Sequence, residues 1–182
     1  KNFINGRPLN GPWPSECKVA IFALGCFWGA ERLFWNIDGV YMTSVGYAGG
    51  FTPNPTYEEV CSGNTGHAEA VQIVYDSNRC SYSALLKKFF ESHNPTQGMR
   101  QGNDKGTQYR SMILFLTNEQ KNEAIKIKNL YNEKLLKHGL NSITTEIKQL
   151  TNYYLAEIYH QQYLSKNPNG YCGLDGTGIK CP

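Results

Sequence analysis

The sequence predicts an α+β fold, a two-layer sandwich in which helices pack on one mixed sheet. Apolar runs of strand length and helical patterns follow one another in the order strand, helix, strand, strand, helix, strand. This is the order of a ferredoxin-like split βαβ core. The length of 182 residues suits one hydrophobic core, so we expect a single domain over residues 1–182. C-terminal additions and a Gly-rich tail extend this core.

The N-terminal part of the predicted domain contains an arm, two strands and a helix. Residues 1–17 carry Gly, Pro and polar residues without periodicity, which indicates an extended N-terminal arm. Residues 18–24 (KVAIFAL) are mostly apolar and predict the first strand, and helical spacing predicts a helix over residues 27–37. Asp38-Gly39 then turns the chain into a second strand over residues 40–47.

The middle of the chain predicts two more strands and a second helix. Residues 68–75 (AEAVQIVY) and residues 111–116 have strand-like apolar patterns. Between them, Ser81 or Ser83 is a suitable N-cap for a helix that runs through His93. A serine side chain at this position accepts a hydrogen bond from a free N–H group of the first turn. These elements complete the predicted core.

The C-terminal part adds the longest helix and two shorter elements. Residues 117–120 (TNEQ) have the pattern of a capping box, and the helix that follows extends to about His138, where Gly139 ends it. An added strand is predicted over residues 143–150 and a short helix over residues 156–164.

Two connections are longer than a compact domain needs. Residues 48–67 and residues 94–110 lack a periodic pattern, yet they hold Tyr57, Asp104 and Tyr109 among turn-forming residues. Loops of this length are usually functional or disordered. Because polar and aromatic side chains are concentrated in them, we interpret both loops as parts of a site.

Composition and charge argue against several classes of function. The net charge of +3 arises from 18 basic and 15 acidic residues without a Lys/Arg cluster, so we expect no binding to nucleic acid. No apolar stretch reaches membrane-spanning length and no secretory signal is visible, so we expect no membrane association. We expect a monomer in the cytoplasm, with an organelle as the alternative if a leader was removed before Lys1.

The six cysteines lack the spacing of a disulfide framework or of a zinc site. No Cys-x-x-Cys occurs, and the four histidines are scattered along the chain. We therefore predict no metal, and a metal-binding thiol protein is kept as an alternative class.

Cys26 is the leading candidate for a reactive residue. It lies where the first strand meets the predicted helix, within the sequence Gly25-Cys26-Phe27-Trp28-Gly29. Free backbone N–H groups and the helix dipole favour an anion at such a position, so we expect a lowered thiol pKa and a nucleophilic role. A small buried thiol packed under a helix is the structural alternative.

A thiol nucleophile is compatible with two chemistries. A cysteine hydrolase or acyl-transferase needs a histidine base, for which His160 is available, but no orienting partner or oxyanion hole is evident. A redox enzyme needs a second thiol that resolves the oxidised nucleophile. Residues 166–182 supply Cys172 and Cys181 among four glycines, so we expect a catalytic core over residues 18–165 followed by a mobile tail. A tail whose cysteines have no function is the alternative.

Glu69 is a candidate proton donor. In the strand over residues 68–75, the period of two puts Glu69 on one face with Val71 and Ile73. A carboxyl group on an apolar face has a raised pKa and stays protonated near neutrality, as a general acid requires. The alternative is a structural ion pair with an arginine such as Arg110.

Four segments of the chain match the motifs of one enzyme family. They are residues 25–29 (GCFWG), 66–69 (GHAE), 101–110 (QGNDKGTQYR) and 160–163 (HQQY). In this order they resemble the A-type peptide methionine sulfoxide reductases, and the resemblance covers nearly all of residues 18–182. It implies an enzyme without a cofactor that reduces the S-epimer of methionine sulfoxide, free or in proteins, to methionine.

The resemblance also implies a role for each matching residue. Cys26 would attack the sulfoxide sulfur while Glu69 protonates the oxygen. The implied substrate-binding residues are Phe27 and Trp28 at the methyl group, Tyr57 and Tyr109 at the oxygen, and Asp104, His160 and Tyr163 as polar support. Cys172 would resolve the Cys26 sulfenic acid, and thioredoxin would reduce a Cys172–Cys181 disulfide. Cys17, Cys61 and Cys80 have no role in this cycle.

Overall fold

The structure, a computed structural model, describes residues 1–182 and contains eight strands and five α-helices. The strands are β1 (Cys17–Leu24), β2 (Val40–Ala48), β3 (Ala68–Asp76), β4 (Arg100–Gln101), β5 (Asp104–Lys105), β6 (Ser111–Phe115), β7 (Glu146–Gln149) and β8 (Tyr153–Leu155). The helices are α1 (Phe27–Trp35), α2 (Tyr57–Cys61), α3 (Tyr82–Ser92), α4 (Asn118–Lys137) and α5 (Tyr163–Lys166). Two 3₁₀ turns cover Thr107–Tyr109 and Ile158–His160. No helix combines the length and the apolar character that crossing a membrane requires.

Six strands form one mixed sheet in the order β7-β6-β1-β3-β2-β8, and β4 pairs with β5 in a separate hairpin. β6 and β7 are parallel, whereas all other neighbours in the sheet are antiparallel. Strands β1 and β2 therefore run in the same direction with β3 between them, and α1 connects them. The predicted α+β class with a mixed sheet is confirmed.

The main core lies between this sheet and the helices α1, α3 and α4. Alternate residues of a strand share a face, so Phe22 of β1 points into this layer together with Val71 and Ile73 of β3. The ring of Phe22 lies 5.0 Å from that of Phe89 on α3 and 5.8 Å from that of Phe34 on α1. Burial of these large aromatic side chains fixes both helices relative to β1. It thereby fixes the junction at which β1 ends and α1 begins.

Polar side chains cap the two long helices close to where the sequence predicts. Ser81, not Ser83, is the N-cap of α3, since its hydroxyl accepts a hydrogen bond from Ala84 N at 3.0 Å. At α4, Thr117 accepts from Gln120 N at 3.2 Å. The side chain of Gln120 accepts from the N–H of the residue before Thr117 instead of from Thr117 itself. The predicted capping box therefore forms only in its first half.

The predicted helix over residues 156–164 is wrong. The chain instead forms the 3₁₀ turn Ile158–His160 and then the one-turn helix α5, and Gln162 between them has a φ of +49°. The cause is tertiary, because the side chain of Gln161 accepts from Val45 N and donates to Val45 O, each at 2.8 Å. These bonds fix the segment to β2 in a conformation that a continuous helix does not allow.

Five further short strands and helices differ from the prediction or are absent from it. The added strand predicted over residues 143–150 is confined to β7, and none of β4, β5, β8 and α2 is predicted. Elements of two to five residues are too short for periodicity to reveal them. Helix α2 does carry a local signal, a complete capping box between Thr56 and Glu59 inside the first long loop.

Both termini pack on the core. The N-terminal arm is held on β2 through Asn2, which is buried. The hydroxyl of Tyr131 on α4 donates to Ile179 O at 2.7 Å, and Cys181 N donates to Glu91 Oε1 on α3 at 3.0 Å. The glycine-rich tail therefore lies against α3 and α4 in this structure. Its mobility during function stays a prediction.

Candidate active site

Cys26 lies between the end of β1 and the first turn of α1. The chain leaves β1 through Gly25, whose φ of +107° lies in the region that favours glycine. Cys26 is the N-cap residue of α1 and is only 8% exposed. The predicted strand-to-helix junction at this cysteine is confirmed.

The electrostatic environment of Cys26 differs from the prediction. Burial raises the pKa of the thiol to about 12, and the negative charge of Glu69 acts in the same direction. The backbone N–H groups of Trp28 and Gly29 lower the pKa, as expected at a helix start, but by less. The predicted lowering of the thiol pKa is therefore wrong, because it neglected the loss of water around the sulfur. In this structure Cys26 is a neutral thiol near neutral pH.

Glu69 adjoins this junction from the start of β3. The backbone N–H of Phe27, the residue after Cys26, donates to Glu69 Oε1 at 3.0 Å. The predicted alternation is confirmed, since Val71 and Ile73 lie in the helix-facing core and Glu69 is 2% exposed. Burial raises the pKa of Glu69 to about 8, although the hydrogen bond from Phe27 lowers it. The carboxyl group is consequently protonated for the most part at neutral pH.

Arg110 does not neutralise Glu69. Its guanidinium forms an ion pair with Glu146 at 3.0 Å and donates to the carbonyl oxygens of Gly66 and Thr107 at 2.7 and 2.8 Å. The alternative interpretation of Glu69 as the partner of Arg110 is therefore wrong. Glu69 is left as an acid in an apolar environment.

The two residues after Cys26, Phe27 and Trp28, pack against aromatic rings from other parts of the chain. Trp28 stacks on Tyr163 with ring centroids 3.8 Å apart, and the ring of Phe27 lies 5.0 Å from that of His160. His160 also lies 4.5 Å from the ring of Tyr57. Three of the predicted site residues, Phe27, Trp28 and Tyr57, thus meet around His160.

The hydrogen bonds of His160 determine which of its nitrogens carries a proton. Trp28 Nε1 donates to His160 Nδ1 at 3.0 Å, so Nδ1 is an acceptor and the proton of the neutral ring is on Nε2. Nε2 is buried and has no hydrogen-bond partner. Burial lowers the pKa of His160. Because neither nitrogen has a free lone pair and no hydrogen bond joins His160 to Cys26, this histidine is not arranged as a base for the thiol.

Tyr57 and Tyr109 face the same region from the two long loops. Burial raises the pKa of both phenols, and the negative charge of Glu69 contributes to each shift, which indicates that the carboxyl group is near both rings. A hydrogen bond with the Cys61 side chain also raises the pKa of Tyr57. Both hydroxyl groups therefore keep their protons, and that of Tyr57 can donate to another acceptor only after it leaves the Cys61 sulfur.

The C-terminal tail brings Cys172 to the first turn of α1. A side-chain carbon added to Gly29 would lie 2.5 Å from Cys172 Sγ, so the sulfur rests directly against this glycine. Asp104 holds the tail nearby, since Tyr171 donates to its Oδ2 at 3.1 Å. All six thiols are free in the structure, and Cys181 is held on α3, in a different part of the fold.

Two site residues were missed by the sequence analysis. Glu157 accepts a hydrogen bond from the hydroxyl of Tyr47 at 2.8 Å with one carboxylate oxygen, and from Tyr57 N at 3.0 Å with the other. It thereby joins β2, α2 and the 3₁₀ turn of His160 on one side of the site. Its sequence signal is its position three residues before the HQQY motif, inside a segment wrongly assigned to a helix.

The second missed residue is Glu31, a fully buried carboxyl side chain one helical turn after Phe27. It accepts three hydrogen bonds, from the Thr43 hydroxyl at 2.7 Å, from Gln162 N at 2.8 Å and from Gln162 Nε2 at 2.8 Å. Gln162 has the left-handed backbone and lies between His160 and Tyr163. Glu31 therefore fixes the segment that supports Trp28.

No group of three or more His, Cys, Asp or Glu side chains is arranged to hold a metal ion.

Comparisons with known proteins agree on one family. Residues 18–179 match the family described as peptide methionine sulfoxide reductase. The chain is 60% identical over 181 residues to the peptide methionine sulfoxide reductase MsrA of Brucella anthropi, which covers 100% of this chain and 83% of that protein.

Two solved structures extend this similarity to the fold. Methionine sulfoxide reductase A of Corynebacterium diphtheriae superposes with a TM-score of 0.86 at 47% identity, over 96% of this chain and 87% of that one. Mxr1 from Saccharomyces cerevisiae in complex with Trx2 matches with a TM-score of 0.59 at 25% identity, over 91% of this chain and 94% of that one.

Proposed function

The chain belongs to the peptide methionine sulfoxide reductase family, and from this we propose that it is an oxidoreductase that reduces methionine sulfoxide to methionine. One contact supports the assignment of this reaction to Cys26 and Glu69. The carboxyl of Glu69 is bonded to the N–H group that follows Cys26 in the chain, so a thiol and a protonated acid share one small apolar site. Such a pair is suited to remove an oxygen atom from sulfur.

In the first step, Cys26 attacks the sulfoxide sulfur and Glu69 donates its proton to the oxygen. Protonation makes the sulfur more electrophilic, and the Glu69 carboxylate that results takes up the proton that the thiol loses. The attack joins the Cys26 sulfur to the substrate sulfur, and this bond breaks as the hydroxyl passes from the substrate sulfur to Cys26. The sulfoxide is thereby reduced by two electrons and Cys26 is oxidised by two. The products are methionine and the Cys26 sulfenic acid, so no external reductant is consumed in this step.

Three contacts orient the substrate. Phe27 and Trp28 bind the methyl group, because aromatic rings interact favourably with methyl and sulfur groups. The hydroxyl groups of Tyr57 and Tyr109, whose pKa burial raises, donate hydrogen bonds to the oxygen as negative charge develops on it. A sulfoxide sulfur is a stereocentre, so fixed positions for its methyl group, its oxygen and the attacking thiol accept only one epimer. We assign the S-epimer.

The other polar residues position this machinery. His160 and Tyr163 hold the indole of Trp28, one by a hydrogen bond and the other by stacking. Asp104 holds the tail through Tyr171. None of these three residues contributes a proton or an electron pair to the reaction.

Cys172 then resolves the sulfenic acid. Its thiol attacks the Cys26 sulfur, a Cys26–Cys172 disulfide forms and water leaves. The contact between Cys172 and Gly29 supports this step, since Gly29 lies on the same first turn of α1. Cys181 next attacks Cys172, which frees Cys26 and creates a Cys172–Cys181 disulfide. Cys181 has to leave its hydrogen bond with Glu91 to do so.

A thioredoxin dithiol closes the cycle by reducing the Cys172–Cys181 disulfide. The similarity to Mxr1, whose structure is known in complex with Trx2, supports this reductant. Two thiols of thioredoxin become a disulfide, and two electrons and two protons return to the tail. The enzyme thus needs no bound metal or organic cofactor in any of these steps.

The test is the amount of methionine formed without reductant from a methionine S-sulfoxide substrate. Cys26→Ser is expected to form none, and Cys172→Ser about one methionine per enzyme molecule followed by failure to recycle with thioredoxin. Cys17→Ser, at the far end of β1 from Cys26, is the matched control and should behave as wild type. Normal recycling by Cys172→Ser would contradict the resolving role, and turnover by Cys26→Ser would contradict the proposed function.

A further inference from the structure

The 3₁₀ turn beside the candidate site exposes two apolar side chains. Ile158 is 69% exposed and Tyr159 58% exposed. Both ends of the turn are fixed by the site, at Glu157 through its two hydrogen bonds and at His160 through Trp28. The turn is therefore held in a conformation that keeps Ile158 and Tyr159 in solvent.

The N-terminal arm contributes a third apolar side chain to the same surface. Phe3 is 58% exposed, and its backbone N–H donates to Gln162 Oε1 at 2.8 Å. Lys166 joins the two segments, since its Nζ donates to Ile158 O at 3.0 Å and lies 5.5 Å from the centre of the Phe3 ring. We refer to Phe3, Ile158 and Tyr159 as the apolar ledge.

The apolar ledge adjoins the substrate-binding rings. The ring of Tyr159 lies 4.1 Å from that of His160, and His160 contacts both Trp28 and Tyr57. One ring thus separates the apolar ledge from the pocket for the sulfoxide. Exposed apolar side chains that lie together next to a site mark a surface for a binding partner.

We propose that the apolar ledge binds the apolar residues that flank an oxidised methionine in a polypeptide. The inference rests on the proposed function and concerns its substrate class. An extended chain advances about 3.3 Å per residue, so residues one or two positions from the methionine sulfoxide reach the ledge when the sulfoxide occupies the pocket. Free methionine sulfoxide carries charged groups at these positions and gains nothing from the contact.

The test compares kcat/KM for three substrates with a chemical dithiol as reductant. They are free methionine S-sulfoxide, a peptide with leucine on both sides of the sulfoxide and a peptide with serine on both sides. The double variant Phe3→Ser with Ile158→Ser is expected to lose about 10-fold in kcat/KM with the leucine peptide, from the lost burial of two side chains. Its kcat/KM with the other two substrates is expected to stay within twofold of wild type. Leu136→Ser, at a residue on α4 that is 47% exposed, is the control and should change none of the three.

Three results would overturn the inference. The first is a double variant whose kcat/KM equals that of wild type with every substrate, and the second is an equal loss with all three substrates. The third is a loss that appears only with thioredoxin as reductant, which would make the apolar ledge a surface for the reductant. Failure of wild type to reduce any of the three substrates would instead refute the proposed function.

Discussion

The backbone N–H of Phe27 donates to Glu69 Oε1 at 3.0 Å, so the first free N–H group of helix α1 is bonded to a carboxyl group and not to the neighbouring thiol. This contact places an acid beside the thiol at the start of α1. It also gives the buried carboxyl group of Glu69 a hydrogen-bond partner where no cation is paired with it. The consequences extend to the pH dependence of activity and of stability.

Glu69→Gln is expected to lower the single-turnover rate of methionine formation by about 10²- to 10⁴-fold, the usual contribution of a general acid. The wild-type rate should fall as the pH rises through about 8, where Glu69 loses its proton. The variant should lack this decrease and show its smallest loss at low pH, where other donors protonate the oxygen. Glu133→Gln, at an exposed residue of α4, is the control. An unchanged rate at every pH would refute the assignment of Glu69.

The free energy of unfolding should also depend on the ionisation of Glu69. The pKa of Glu69 is about 8 in the folded protein against an ordinary 4.5, so the folded state binds a proton that the unfolded state releases between these values. The resulting stabilisation is fully present below about pH 4.5 and is lost as the pH rises through 8. Relative to Glu69→Gln, wild type should therefore lose free energy of unfolding between pH 5 and pH 8, at up to about 1.4 kcal/mol per pH unit. Urea unfolding of both proteins at several pH values measures this difference in free energy. A difference that does not vary with pH would mean that Glu69 is ionised throughout this range and would contradict its raised pKa.

Gly29→Ala tests the contact between the tail and α1. The added methyl group would lie 2.5 Å from Cys172 Sγ, so this sulfur has to move, whereas alanine favours the helix itself. We expect normal methionine formation in the first turnover, unchanged thermal stability, and formation of the Cys26–Cys172 disulfide slowed about 10-fold or more. In a Cys172→Ser background the same substitution should have no effect on the first turnover. Equal rates of disulfide formation in wild type and Gly29→Ala would show that the observed position of Cys172 is not the one that reacts.

His160→Gln separates a positioning residue from a base. Because His160 Nδ1 accepts from Trp28 and Nε2 carries the proton, loss of the ring should disturb substrate binding and leave the thiol unchanged. We expect a KM several-fold higher, a single-turnover rate within about 10-fold of wild type and an unaltered rate of Cys26 alkylation by iodoacetamide. A loss of about 10³-fold in the single-turnover rate, together with slower alkylation, would favour the cysteine hydrolase alternative.

Glu31→Gln should lower the stability of the fold and disturb the position of Trp28. Three donors converge on the carboxylate of Glu31, and a glutamine would turn one of its two acceptor atoms into a donor that faces them. We expect a loss of about 1–3 kcal/mol in the free energy of unfolding and a raised KM, because Gln162 lies between the two residues that support Trp28. Thr43→Val removes only one donor and should change the stability less and the KM not at all. A normal KM in a folded Glu31→Gln variant would contradict this positioning role.

Much of the fold follows from local patterns in the sequence. The alternation in β3 correctly assigns Glu69 to the core face together with Val71, because a period of two is independent of the rest of the fold. The junction at Cys26 follows in the same way from an apolar run, a glycine and a helical pattern. Ser81 and Thr117 cap their helices through contacts within three residues.

The predictions fail where residues distant in the sequence determine the local structure or the pKa. The thiol pKa of Cys26 depends on burial in the folded protein and on the charge of Glu69 in β3, neither of which a local pattern contains. The segment around Gln161 is not helical because β2, more than 100 residues earlier, binds its side chain. The docked conformation of the tail depends on Tyr131 in α4, whereas the tail's composition indicates only flexibility.

The central claim is that the sulfoxide oxidises Cys26 and no other thiol. The direct measurement treats Cys172→Ser with one equivalent of methionine S-sulfoxide, traps sulfenic acid with dimedone and maps the modified peptide by mass spectrometry. We predict one dimedone adduct per enzyme, on Cys26 alone, and none with the R-epimer. Formation of methionine with an adduct on Cys61 or another cysteine, or with Cys26 left reduced and unmodified, would contradict the account.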